Sequence, residues 1–385
     1  MNADRPPSSD LLHEQDRMFM AVALDRARSI PVRPWPNPPV GAVVVRDGRV
    51  AGAGAHHGPG TPHAEIMALQ EAGEAARGAT LYVTLEPCNH TGRTPPCAPA
   101  VADSGVRRVV VGMRDPNPHV TGGGCRHLRD CGIEVVCGVR AREALELVWP
   151  FVVTRSFARP FVELKTAQSL DGCFAPEPGP RDPLGPAYLT GVESRREVHR
   201  VRTWMDAVLV GERTAHSDRP RLDTRLAGSE ADGPLARPLP GYVDSDLSLG
   251  ERVGEGPFLV VAGRGAEGSA RAAELRTMGA ELLFVDEADG HAAPAAVIEA
   301  LHRRGLHTVM IEGGPRLAAA FLAAGMVDRW RLFTAPVFLG GGVRWPRSTA
   351  DGKGYSLTAL ERFGGDTMGV YDRLVFDDVL GQVTL

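Results

Sequence analysis

The stretch His63-Ala64-Glu65, followed by Glu86-Pro87-Cys88 and, after eight intervening residues, Cys97, decides how the first half of this chain is read. It offers one imidazole and two thiols as zinc ligands, and a carboxylate two residues past the histidine that is free to move protons. A catalytic zinc takes three protein ligands and leaves a fourth position to water, whose pKa falls to about 7. One His near two Cys is an ordinary coincidence in a soluble protein, where a buried free Cys behaves as a small hydrophobe. The order of the residues, the Glu at the second position and the Pro directly before Cys88 together favour a metal centre over that coincidence.

The flanking sequence supports the same reading. Residues 64–74 carry Ile66, Leu69 and Gly73 at helical spacing, which puts His63 and Glu65 at the first turn of a helix. Side chains two apart lie about 200° around a helix, so both reach one metal only over the helix end. Residues 80–85 read as a strand, and Cys88 follows where the strand gives way to a loop or a helix start. The positive end of a helix dipole favours the thiolate that zinc requires. His-x-Glu followed by Pro-Cys-x-x-Cys is the signature of zinc-dependent deaminases, with the Glu as general acid/base. Here eight residues stand between the cysteines instead of two. Hydrolytic deamination of an aminopyrimidine needs an activated water and a separate carrier of protons to the departing ammonia.

With 385 residues the chain is long enough for two domains, and 43% hydrophobic with 23% charged residues is an ordinary globular composition. A net charge of −4 gives no basic field for a nucleic-acid partner. The cysteines at 88, 97, 125, 131, 137 and 173 are scattered and form no secreted-type framework. No run approaches ~20 apolar residues and residues 1–16 are polar, so neither a membrane span nor a signal peptide is expected, and the compartment is the reducing cytoplasm. Of the 43 Lys and Arg residues only Lys165 and Lys353 are lysines. In so arginine-biased a chain, a retained lysine is informative.

Taken in order, residues 1–15 are expected to be a disordered lead and 20–27 a short helix. The rigid segment Trp35-Pro36-Asn37-Pro38-Pro39 then enters a strand at 42–45. Asn37 fits turn chemistry and a substrate-amide contact equally. After Cys97, helices near 99–104, 126–131 and 140–148 alternate with strands at 108–112 and 133–136, with a glycine turn at 122–124, which predicts a layered α/β sheet ending near residue 156. A second unit, 157–385, opens with a strand at 160–167. A helix at 193–203 and a strand at 207–211 follow, between loose insertions at 176–186 and 229–241. Strands at 258–262, 282–285 and 308–311 then alternate with helices at 270–278, 295–304 and 316–324, and strands run to the C-terminus.

The second unit carries a second candidate site. Glu312-Gly313-Gly314-Pro315 lies between a strand and a helix start, where glycines let the backbone approach an anion. Alone this signal is weak. Thr214, Asp218, Leu222 and Arg225 follow the strand ending at Gly211, in the region beyond the carboxyl ends of strands where open α/β sheets place ligands. Arg202 and Arg225 each have the fork that matches a phosphate, although any one arginine in this chain also reads as a solvated surface residue.

Together these residues carry a resemblance. Pro36-Asn37-Pro38, His63-Ala64-Glu65, the run 84–97 (TLEPCNHTGRTPPC) and Asp115-Pro116-Asn117-Pro118 resemble the deaminase half of the bifunctional riboflavin-biosynthesis deaminase/reductases. Leu164-Lys165, Ser169-Leu170-Asp171-Gly172, Thr190-Gly191, Asp206-Ala207-Val208, Thr214, Asp218, Arg225 and Glu312-Gly313-Gly314-Pro315 resemble their reductase half. The resemblance spans roughly residues 16–375. It implies a cytidine-deaminase-like three-layer domain at 16–156 and a dihydrofolate-reductase-like α/β domain at 157–385. The implied chemistry is zinc-dependent removal of the 2-amino group of a diaminopyrimidine ribosyl phosphate, then NADPH-dependent reduction of its ribosyl group to a ribityl chain.

Position by position, the resemblance implies that His63, Cys88 and Cys97 bind zinc and that Glu65 shuttles the proton. It places Ala167, Tyr188, Thr214, Asp218, Ser245 and Gly314 against NADPH. Asn37, Lys165, Arg202, Leu222, Arg225 and Glu312 are placed against the phosphoribosyl pyrimidine, with the Lys165 ammonium on the ribose or its phosphate. The expected partner is this small molecule, with no nucleic acid and no membrane; a homo-oligomer is compatible with the sequence. The chain departs from the family pattern at Trp35 (usually His), Tyr188 (usually Trp), Pro186 (a small polar residue), Arg219 (Asp or Asn) and Pro99 (an acidic residue). Three of these changes fall in the reductase or its rim, so a secondary-metabolite paralogue with an altered or inactive reductase stays open, and behind it a nucleic-acid base deaminase.

Overall fold

A computed structural model describes residues 9–30, 33–90, 95–116, 123–176, 188–225, 238–249, 256–346 and 354–384. Pro186, Asn117 and Pro118, singled out in the sequence, lie outside the described residues. The chain divides into one unit of Met1–Ser156 with Val375–Leu385 and a second of Phe157–Leu374. The last eleven residues therefore return to the first unit, where sequence had assigned everything beyond residue 156 to the second.

In the first unit, helix α1 (Ser9–Arg28) is followed by strands β1 (Gly41–Arg46) and β2 (Arg49–Ala55), helix α2 (Ala64–Ala72), strand β3 (Thr80–Leu85) and helix α3 (Cys97–Asp103). Then come β4 (Arg108–Met113), α4 (Gly123–Asp130), β5 (Glu134–Cys137) and α5 (Ala141–Phe157). The five strands form one sheet in the order β2-β1-β3-β4-β5, with β1 antiparallel to both neighbours and β3, β4 and β5 parallel. Helices cover both faces, so the central strands are near-continuous apolar runs such as Val109-Val110-Val111, all buried. Ala42, Val44, Leu81, Val83, Val109 and Val111 face α2, α3 and α4 through Ala64, Ala68, Ala98, Val101 and Leu128.

Three expectations need correction here. The chain is helical from Ser9, so the lead expected over 1–15 is at most residues 1–8, which are outside the described residues. Strand β2 was missed because its sequence, RVAGAGA, holds a single β-branched residue, Val50, among alanines and glycines that do not signal a strand. Its glycines are there for packing: a Cβ on Gly52 would sit 2.2 Å from the Ala68 carbonyl oxygen, and one on Gly54 2.2 Å from that of Ala64. Helix α2 thus lies against bare backbone. Finally, α5 runs on through Pro150, past the end expected at 148, and Thr154 Oγ1 donates back to the Pro150 carbonyl at 2.7 Å.

The second unit contains β6 (Phe161–Ser169), α6 (Val192–Arg202), β7 (Ala207–Gly211), α7 (Glu212–Asp218), β8 (Leu239–Val243), β9 (Phe258–Gly263), α8 (Ala270–Thr277) and β10 (Ala280–Val285). A hairpin of β11 (Glu287–Ala288) and β12 (His291–Ala292) leads to α9 (Pro294–Arg303), β13 (Thr308–Ile311), α10 (Pro315–Ala323), β14 (Arg329–Ala335), β15 (Tyr355–Phe363) and β16 (Asp366–Arg373). Nine strands form one sheet in the order β10-β9-β8-β7-β13-β6-β14-β16-β15, parallel from β10 to β14 and antiparallel over the last two. β8, which begins within the segment 229–241 read as a loose insertion, was hidden by its Pro240-Gly241 pair. Helices α9 and α10 begin with a proline at the first turn, where its missing N–H costs nothing. Val297, Ile298, Leu301, Ala318 and Phe321 lay them on a core of Leu164, Leu209, Val261, Val309 and Ile311.

Helix α11 (Val375–Thr384) closes the chain where strands were expected. It belongs to the first unit: Phe376 packs edge-on to Trp149 at 5.1 Å, Asp377 pairs with Arg142 at 2.8 Å, and the Val383 carbonyl accepts from the Arg114 amide at 3.0 Å.

Candidate functional site

His63 caps the N-terminus of α2 in extended backbone and Cys97 is the first residue of α3, while Cys88 lies in the loop that leaves β3. Of the loop or helix start expected at Cys88 it is the loop that forms, and the cysteine at a helix start is Cys97. Cys88 Sγ stands 3.6 Å and Cys97 Sγ 2.9 Å from His63 Nδ1, and the Cys97 amide donates to Cys88 Sγ at 3.3 Å. All three ligand atoms lie within 4.8 Å of one another. A tetrahedral zinc with ordinary Zn–N and Zn–S bonds needs an N···S separation of about 3.6 Å; Cys88 stands at that distance and Cys97 closer, and the donor set fits the ion in kind.

A hydrogen bond from Cys97 brings Cys88 down to about 4, and the same contact pushes the Cys97 thiol up. The hydrogen bond to Cys88 likewise raises His63. A divalent cation would take the place of those protons, which is how thiolate sites couple metal affinity to pH. Glu65, on the first turn of α2, is only 3% exposed, and burial raises its carboxyl to about 7. That value suits a group that must both take and give a proton near neutrality.

A cavity of about 420 Å³ opens onto these atoms, lined among others by Asn37, His56, Glu65, Phe151 and Arg155. This is the size of a small-molecule pocket. Asn37 Nδ2 and His56 Nε2 are 2.8 Å apart, and His56 Nδ1 lies 3.2 Å from the Pro62 carbonyl oxygen. The amide nitrogen can only donate, so Nε2 accepts and Nδ1 carries the hydrogen. Burial lowers the His56 pKa, in keeping with a neutral ring. In the lining of the same cavity, buried Glu86 accepts from the Cys125 amide at 2.9 Å and the Asp115 amide at 3.3 Å, pinning the loop that carries Cys88. Sequence reasoning missed His56, Glu86, Phe151 and Arg155. Only Glu86 had a signal, as the residue opening Glu-Pro-Cys.

The reductase-side candidates gather at the carboxyl ends of the parallel strands β6, β7, β8 and β13, but not at a single point. Arg202 of α6 makes a two-pronged ion pair with Glu312, at 2.6 and 2.8 Å, and donates to the Asp223 carbonyl at 2.7 Å. Lys165 on β6 completes this charge cluster; burial lowers its pKa while Glu312 opposes the change. Thr214 and Gly314 also meet, the Gly314 amide donating to Thr214 Oγ1 at 3.1 Å. Ser245 follows β8 and its hydroxyl accepts from the Ala292 amide at 2.8 Å. Leu222 is 2% exposed and holds a left-handed backbone at φ 52°. Arg225 pairs with Asp223, not with Glu312. Asp218 accepts from Ser217, Ala167 packs beside Phe333, and exposed Tyr188 lies beneath the Arg195 guanidinium at 4.6 Å. Buried His199, near Asp223 and held down to about 4 mainly by burial, had not been singled out.

Known proteins resemble this chain. The family model of the cytidine and deoxycytidylate deaminase zinc-binding region matches residues 13–113, and that of the RibD C-terminal domain matches residues 160–368. The chain is 39% identical over 338 residues to the riboflavin biosynthesis protein RibD of Aquifex aeolicus, covering 86% of this chain and 90% of the relative. Its identity to the Escherichia coli protein of the same name is 37% over 342 residues, with the same coverage. The solved structure of Acinetobacter baumannii RibD aligns with a TM-score of 0.74 at 32% identity, over 94% of this chain and 99% of that one. A Thermotoga maritima diaminohydroxyphosphoribosylaminopyrimidine deaminase/5-amino-6-(5-phosphoribosylamino)uracil reductase aligns with a TM-score of 0.73 at 31% identity, over the same shares.

Proposed function

The chain belongs to the bifunctional riboflavin-biosynthesis deaminase/reductase family, and from that premise we propose how its own residues divide the work. It is a zinc-dependent deaminase and an NADPH-dependent reductase of riboflavin biosynthesis. The substrates we assign are 2,5-diamino-6-(5-phosphoribosylamino)pyrimidin-4(3H)-one for the first unit and its deaminated uracil for the second. Nothing in the comparisons favours a secondary-metabolite paralogue or a nucleic-acid base deaminase. The observation that carries the deaminase reading is buried Glu65 beside three ligand atoms gathered at one point.

In the deaminase unit, His63, Cys88 and Cys97 hold the zinc, which when bound supplies Lewis acidity toward water. Glu65 takes the proton released as the C–O bond forms at C2 and delivers it to the nitrogen as the C–N bond breaks. Its carboxyl at about 7 serves both directions. Because Asn37 Nδ2 is committed to His56, its Oδ1 faces the opposite need and accepts from an N–H of the pyrimidine. The Asn37–His56–Pro62 chain holds that amide in one orientation.

In the reductase unit, NADPH supplies the hydride. Thr214 and Gly314 frame the β7 and β13 strand ends where the dinucleotide is assigned, with Ala167, Tyr188, Asp218 and Ser245. Lys165, Arg202 and Glu312 form the charged floor under the phosphoribosyl group, with Leu222 and Arg225 beside it. Among the described residues no helix is long and apolar enough to cross a membrane. We assign the enzyme to the cytoplasm, acting on small molecules and not on nucleic acid, with self-association compatible with either site. Product identification tests the whole reading: the diaminopyrimidine with NADPH must yield ammonia, NADP and the ribityl uracil. Ammonia without NADPH oxidation would refute the reductase half, and absence of both would refute the function.

A further inference from the structure

Two thiols outside the metal site meet in the first unit. Cys125 stands in the first turn of α4 and Cys137 ends β5, and their sulfurs are 3.7 Å apart. Cys125 is fully buried, whereas Cys137 is half-buried. The pair is uneven in charge. Contact with Cys137, burial and the Glu86 carboxylate push the Cys125 thiol up, so it keeps its proton and donates to Cys137. That hydrogen bond, with the Arg129 and Arg114 guanidiniums and against the effect of burial, brings Cys137 down to about 6. Arg129 Nη2 stands 3.7 Å from the Cys137 sulfur. A half-buried thiolate beside a protonated thiol is the arrangement in which an oxidised sulfur has its resolving partner at hand.

The buried partner is tied to the deaminase site. The Cys125 amide donates to Glu86 at 2.9 Å, and Glu86 lines the cavity and opens the segment Glu86-Pro87-Cys88. Neighbouring Gly124 packs directly on that segment: a Cβ there would lie 1.8 Å from the Pro87 carbonyl oxygen. A disulfide holds its sulfurs about 2.05 Å apart, so bonding the two cysteines draws Cys125 toward β5 and disturbs the contacts to Glu86 and Pro87. Resting on the deaminase reading above, we propose that Cys125 and Cys137 form a redox site, which hydrogen peroxide oxidises to a disulfide that slows deamination. The Cys137 thiolate attacks one peroxide oxygen and the O–O bond breaks; the departing hydroxide takes a proton from solvent and leaves as water. The Cys125 sulfur then displaces the hydroxyl of the Cys137 sulfenic acid, and the Cys125 thiol proton leaves with it as a second water. Two electrons pass from the sulfurs to the peroxide. Two small-molecule thiols return them by exchange and end as a disulfide themselves. In a reducing compartment a protein disulfide of this reversible kind reports oxidant and does not staple the fold.

The test treats full-length, zinc-loaded, reduced enzyme with hydrogen peroxide, alkylates the remaining thiols and cuts with trypsin, which separates the two cysteines at Arg126 and Arg129. Mass spectrometry should find a peptide pair linked through Cys125 and Cys137, with zinc content unchanged. Ammonia release should fall at least about fivefold and return with dithiothreitol, while NADPH oxidation on the deaminated substrate stays constant. Cys137→Ser, outside the cavity lining, should keep the turnover of reduced wild type and lose the response to peroxide. Cys125→Ala should stop the oxidation at the Cys137 sulfenic acid, captured by dimedone. The proposal is overturned if no link forms, or if the link runs through exposed Cys131 or joins Cys88 to Cys97. A Cys125–Cys137 disulfide without loss of ammonia release, or a peroxide effect that persists in Cys137→Ser, overturns it equally. Each of these leaves the deaminase reading intact. Reduced wild-type enzyme that releases no ammonia overturns the function, and the switch falls with it.

Discussion

Glu65 shows what one buried carboxyl costs and what it makes possible. Its ordinary value is 4.5 and burial raises it to about 7, so folding favours the protonated form. In metal-free protein the stability this group allows is complete below pH 4.5. It is lost progressively as pH rises, levelling off above 7 after a change of about 3 kcal/mol. Glu65→Gln fixes the neutral state. Metal-stripped Glu65→Gln should therefore match wild type near pH 4 and exceed it by about 3 kcal/mol at pH 8 in urea melts, while losing ammonia release by at least about 100-fold with zinc retained. Equal stability at both pH values would contradict the burial argument, and retained turnover would contradict the proton-carrier role. At this scale the sequence was legible for the gathering of His63, Cys88, Cys97 and Glu65 about one cavity, because ligand chemistry restricts residue type and order. It was silent on His56 and Arg155, whose residue types mean little until the fold places them against the cavity.

Between elements, the approach of α2 to β2 sets the height of the deaminase site. His63 and Glu65 ride on the first turn of α2, and α2 rests on the bare backbone of Gly52 and Gly54. A side chain at Gly52 would have to displace the helix, because the Ala68 carbonyl stands 2.2 Å from where its Cβ would be. Gly52→Val should cost about 3 kcal/mol by overpacking and lower the zinc content of purified protein in step. An unchanged urea midpoint and full zinc would show that α2 can shift freely. The same glycines concealed β2 from a reading based on β-branched residues, and Pro240-Gly241 concealed β8 in the same way. The Val-rich strands β1, β4 and β9 were legible because both their faces are buried, which demands a continuous apolar run.

Across the whole molecule, the chain begins and ends in the first unit. Helix α11 follows the last reductase strand yet packs Phe376 against Trp149, and both side chains are fully buried. Phe376→Ala should destabilise the deaminase unit by about 3–5 kcal/mol. In the full-length enzyme, heating should then abolish ammonia release at a lower temperature than in wild type while NADPH oxidation on the deaminated substrate persists. Parallel loss of both activities would show that the two units unfold as one. The short apolar spacing in 375–384 fits a helix or a strand about equally, so only a partner surface could decide between them.

By itself the sequence determined the metal chemistry, the two-part organisation and the alternating α/β character, since each rests on residue type, order or short-range periodicity. The tertiary structure alone decided which unit owns the C-terminal helix, how His56 orients Asn37, and that Arg155 stands among the acidic residues around the deaminase cavity. Those facts depend on contacts between residues distant along the chain, and no local pattern encodes such a contact before the elements pack.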